Sequence, residues 1–74
     1  VIGAPMPYVN IQITREGATT TQKAELIRRT TTMLEEVLNK DPATTFVVIQ
    51  EIDTDDWGVG GETVTVRRAR DAQA

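Results

Sequence analysis

The chain of 74 residues carries eleven acidic and eight basic side chains, for a net charge of -3, and contains neither cysteine nor histidine. A domain this small buries little core and usually leans on disulfides, a metal or oligomerisation; the missing cysteines close the first route and the missing histidines leave only oxygen donors for the second. The same absences exclude Ser-His and Cys-His nucleophile pairs, and the acidic balance speaks against general nucleic-acid binding, whose affinity comes from clustered Lys and Arg.

Val1 to Met6 has neither the charged start nor the long apolar stretch of a secretion signal. Nor does any apolar run approach the roughly 20 residues that span a bilayer. These features predict a soluble, cytoplasmic protein. From Tyr8 to Thr14 apolar and polar residues alternate, with Val9, Ile11 and Ile13 on one face, which is the period of a half-buried strand. Arg15 to Ala18 breaks the pattern. Thr19 and Gln22 then have the spacing of a capping box, so a helix is expected from Thr20 to about Lys40, with Leu26, Ile27, Met33, Leu34, Val37 and Leu38 as its apolar stripe. Asp41-Pro42 is expected to stop it, because the residue before proline is pushed out of the helical region.

Phe46 to Ile49 is apolar at every position, as in a strand buried on both faces. One helix covers only one face of a two-stranded sheet, so the other face calls for a partner subunit. Trp57-Gly58-Val59-Gly60-Gly61 reads as a loop or hairpin whose glycines permit positive φ. Glu62 to Val66 reads as a short third strand, and Arg67 to Ala74 as a polar, fraying tail. The expected plan is strand, helix, strand, hairpin, with the two main strands parallel across a right-handed crossover.

Two loops invite a ligand and fail on detail. Asp53-x-Asp55 with Gly58 at the sixth position imitates a calcium loop, but Trp57 and Val64 stand where oxygen ligands are needed. The Gly58 to Gly61 run is followed by Glu62 to Val66, which reads as strand and not as the helix that a phosphate cradle requires. The cluster Arg67, Arg68 and Arg70 suits a solubilising end or acidic side chains on a neighbour. Arg15 is different. It follows the first strand, where α/β units border their ligand crevices, and is a candidate anion contact.

Met6-Pro7 opening a strand, the capped amphipathic helix, Asp41-Pro42, the apolar strand ending in Glu51, and Trp57-Gly58-Val59-Gly60-Gly61 together resemble the 4-oxalocrotonate tautomerase family over about residues 7–68. The resemblance implies an α+β fold, a βαβ subunit that pairs through its sheet and assembles as a hexamer. It also implies a cytoplasmic isomerase, free of cofactor and metal, acting on a small acidic enol or keto substrate. In the family a proline exposed by methionine removal is the general base, and Pro7 matches it. The aromatic residue before the family's glycine turn walls the site and keeps the amine's pKa low, and Trp57 matches that. Well-studied members hold substrate with one arginine shortly after the first strand and another in the second strand. Those places fall at Ala18 and Phe46 here, so Arg15 is expected to stand in for the first, with Phe46 lining the site at the second.

A free α-amine titrates near 7.7–8.0, and burial beside cations lowers it further, so it serves as a base near neutral pH in a chain without histidine. An internal proline has no proton to exchange. Residues 1–6 are accordingly read as an added remnant, a natural extension or part of a longer chain, residues 7–68 as the domain, and residues 69–74 as a polar tail. The alternative to a tautomerase is a family member that has lost catalysis and serves as an oligomeric binding or structural subunit. A nucleic-acid or anion-binding module built on the Arg67 to Arg70 tail trails both.

Overall fold

The computed structural model describes residues 6–73, so the segment read as an extension lies, apart from Met6, outside the described residues. The alternating stretch forms β1 (Tyr8–Thr14) and the apolar run forms β2 (Phe46–Ile52), paired in parallel from Tyr8 beside Phe46 to Thr14 beside Ile52. Parallel pairing needs a crossover, and α1 (Thr20–Leu38) supplies it.

The capping box at the start of α1 is complete. Thr19 Oγ1 accepts from the Gln22 N–H at 3.0 Å and Gln22 Oε1 accepts from the Thr19 N–H at 2.9 Å. At the other end the expectation needs correction. The helix stops at Asn39, which takes a left-handed φ of 56° and donates its N–H to the Glu35 carbonyl at 2.9 Å. Asparagine tolerates that conformation, so the turn is made two residues before Asp41. Asp41-Pro42 instead opens a 3₁₀ turn, Pro42–Thr44, with the Asp41 carboxylate accepting from the Ala43 N–H.

The hairpin forms as read: β3 (Gly58–Val59) and β4 (Glu62–Thr63) pair antiparallel through Gly60 and Gly61, whose φ of 61° and 87° are what a tight two-residue turn requires. The strand expected to continue to Val66 ends at Thr63, and a helix, α2 (Val64–Gln73), replaces both its remainder and the fraying tail. The Thr63 hydroxyl accepts from the Val66 N–H, Thr65 meets Thr54 and Asp55, and Arg70 grips Glu62 with two bonds of 2.9 Å. Side-chain contacts thus override the β propensity of Val64-Thr65-Val66.

Val9, Ile11, Ile13, Val47 and Ile49 are half-buried, and the alternate residues Tyr8, Asn10, Gln12, Phe46, Val48 and Gln50 lie open. Val64 is the one buried apolar side chain among the described residues. On the open face Phe46 is 50% and Val48 43% exposed, beside amides of Asn10 and Gln12 that both donate to Gln50 Oε1. The second strand is therefore apolar on both faces and covered on one. No described helix is long and apolar enough to cross a membrane.

Candidate active site

Pro7 is half-buried immediately before β1, and its carbonyl accepts the Phe46 N–H at 2.9 Å, so sheet pairing begins at the proline. The register then sets Tyr8 beside Phe46. These side chains are 62% and 50% exposed, which leaves an open aromatic patch next to Pro7. In this chain Met6 acylates the Pro7 nitrogen, which therefore carries no proton.

Arg15 stands at the opposite end of the sheet. Its backbone N–H continues the strand pairing to the Ile52 carbonyl at 2.8 Å, while its guanidinium crosses the end of β2 to reach Asp53 Oδ1 at 3.1 Å and the Glu51 carbonyl at 3.2 Å. Both partners of the Arg15–Asp53 pair are well exposed, so solvent screens it and an incoming anion can compete for the arginine. Trp57 closes the 3₁₀ turn Thr54–Asp56, is half-buried, and accepts the Val64 N–H on its carbonyl at 2.9 Å.

Lys23 in the first turns of α1 reaches the carboxylate of Glu51 at 2.9 Å, with only 32% and 22% of the two side chains exposed. The Lys23 hydrogen bond, aided by the charges of Lys23 and Arg15, holds the Glu51 carboxyl below its ordinary value. Glu51 is thus kept ionised at neutral pH and neutralised by a cation, which leaves it poorly suited to act as an independent base. Sequence reading missed this pair. The signal was present in the spacing of Lys23, Ile27, Thr30 and Leu34, which is one helical face and places Lys23 over the sheet.

The structure brings the expected residues together in two sets. Pro7 and Phe46 share one end of the sheet; Arg15 lies at the other with Lys23, Glu51 and Asp53, and Trp57 follows that end of β2 beyond the turn Thr54–Asp56. Seven strand residues lie between Pro7 and Arg15, so eight steps at strand rise separate them, about 26 Å. No side chain spans that distance within one copy. A groove of about 390 Å³, lined by Ala18, Gln22, Glu25, Leu26 and Arg29, includes neither set. Ala18, where the family's first arginine was expected, thus flanks a different surface. No three Asp or Glu side chains among the described residues group as metal ligands do.

The model of the tautomerase enzyme family matches residues 7–67. A "probable tautomerase K2" of Dickeya dadantii is 56% identical over 63 residues, spanning 85% of this chain and 94% of the relative. The crystal structure of DmpI from Helicobacter pylori is similar with a TM-score of 0.80 and 38% identity, covering 85% of this chain and 97% of that one. A heterohexamer 4-oxalocrotonate tautomerase from Chloroflexus aurantiacus superposes with a TM-score of 0.73 at 32% identity, covering 81% and 95%.

Proposed function

The chain belongs to the 4-oxalocrotonate tautomerase family of the tautomerase superfamily, and we propose on that ground that it interconverts the enol and keto forms of a small 2-oxo acid with the Pro7 amine as general base. The position of Pro7 carries the reading: it is the first residue of the family match, at the mouth of β1, beside the exposed Tyr8 and Phe46. With a free terminus, the neutral amine takes the enol proton from oxygen and the resulting ammonium returns a proton to carbon. No atom is gained or lost. Arg15 holds the substrate carboxylate and Trp57 provides an apolar wall that disfavours the charged amine.

Since Pro7 and Arg15 lie at opposite ends of one sheet, the site is assembled from different copies of the chain. The uncovered sheet face, with Phe46 and Val48 exposed, is the surface through which copies associate. This fits a hexamer, the assembly named for the heterohexameric relative.

The test is kcat/KM against pH for a chain beginning at Pro7, with phenylenolpyruvate as substrate. A base must be neutral to act, so the rate falls as pH drops through the amine's pKa, which lies at or below about 7.7–8.0. A profile without that acid limb contradicts the proposal.

A further inference from the structure

The loop between β1 and α1 carries Arg15, yet it has little of its own to hold it. The Arg15 N–H is the last backbone link to β2, the Arg15 guanidinium adds bonds to Asp53 and the Glu51 carbonyl, and no backbone–backbone hydrogen bond involves Glu16, Gly17 or Ala18 among the described residues. Gly17, with φ of 99°, adds backbone freedom at its centre. Beyond Arg15, what holds the loop is the side chain of Glu16. The Thr14 hydroxyl donates to it from one side, and from the other Arg68 grips it with Nε on Oε1 at 3.1 Å and Nη2 on Oε2 at 3.2 Å.

Arg68 is itself set on a fixed support. Its helix, α2, is tied to the hairpin by the double bond set between Arg70 and Glu62, to the 3₁₀ turn by Thr65 on Thr54 and Asp55, and to Trp57 through the Val64 N–H. A planar guanidinium on a planar carboxylate fixes direction as well as distance, which a lysine in the same place does not do. Arg68 also lies just beyond the stretch that the family model covers, residues 7–67.

We infer that Arg68 is a positioning residue: through Glu16 it holds the loop after β1 so that Arg15 meets the carboxylate of the substrate. This rests on the reading of Arg15 as the anion contact, and the two are separable by experiment. Because a misplaced Arg15 weakens binding while the base is untouched, the effect falls on KM and spares kcat.

In a chain beginning at Pro7, with phenylenolpyruvate, Arg68→Ala raises KM roughly two- to fivefold, the span expected of an exposed ion pair, at unchanged kcat. Arg68→Lys recovers part of the loss. The double variant Arg15→Ala/Arg68→Ala has the KM of Arg15→Ala alone, since Arg68 acts only through Arg15. Amide exchange at residues 15–18 quickens in Arg68→Ala and is restored in part by Arg68→Lys. Arg68 is largely exposed, so these variants retain the fold. If Arg15→Ala raises KM and Arg68→Ala does not, the positioning role is overturned and the Arg15 contact stands. If Arg15→Ala leaves KM unchanged, both fall. Additive effects of the two substitutions would show Arg68 acting on its own and would also overturn the inference.

Discussion

At the scale of single residues, the proposed chemistry turns on whether one nitrogen is an amine or an amide. Pro7 lies in a setting that exposes aromatic surface around it, and Trp57 is the residue assigned to keep its neutral form favoured. A charged ammonium is costly against an apolar wall, so the wall lowers the amine's pKa and removing it raises that pKa toward the free value of about 7.7–8.0. Trp57→Ala in a chain beginning at Pro7 is therefore predicted to move the acid limb of kcat/KM to higher pH, with the rate at high pH changing less than the rate near neutrality. An acid limb that stays in place would remove Trp57 from the amine's surroundings. Arg15 is legible as a candidate from its place after a strand, but its engagement with Asp53 and with the Glu51 carbonyl is a tertiary fact that no local pattern encodes.

At the scale of elements, β1, α1 and β2 are legible because their periodicities are unambiguous and the Thr19–Gln22 box marks where the helix begins. The first turn of α2 reads as strand, and the rest of it as a fraying tail, for a physical reason. Val64, Thr65 and Val66 are β-branched and alternate with respect to polarity, and what makes them helical is the Thr63 cap and the grip of Arg70 on Glu62, contacts set by spacing that a strand pattern masks. The Lys23–Glu51 contact joins α1 to β2, and its pH dependence follows from the direction of the Glu51 shift. Folding depresses the Glu51 pKa below 4.5, so the contribution is complete above that value and is lost as pH falls through the folded-state value. Glu51→Gln is predicted to lower the urea midpoint near neutral pH, and its difference from the parent chain should close as pH falls below about 4.5. A difference that persists undiminished into acid would mean that the ion pair is not what Glu51 contributes.

At the scale of the whole molecule, the covered and uncovered faces of the sheet decide what can exist in solution. A single buried apolar residue among those described, together with exposed Phe46, Val48, Met33 and Val37, is too little core for an independent fold of this size. The apolar second strand announced this, and the separation of Pro7 from Arg15 is legible as well, because the two flank one seven-residue strand; what only the parallel pairing reveals is that Phe46 joins Pro7 at one end while Glu51 and Ile52 lie beside Arg15 at the other. Sedimentation at micromolar concentration is predicted to find an oligomer, with Val48→Asp shifting it toward smaller, less stable species; a stable folded monomer of 8.2 kDa would refute the assembly. Catalysis by the Pro7 amine is tested most directly by the initial rate of phenylenolpyruvate ketonisation, measured side by side for chains beginning at Val1 and at Pro7. General-base catalysis contributes about 10² to 10⁴ in rate, so the chain beginning at Pro7 should be faster by a factor in that range, with Pro7→Ala retaining part of the activity through its primary amine. Equal rates from the two chains would contradict the assignment of Pro7 as the base.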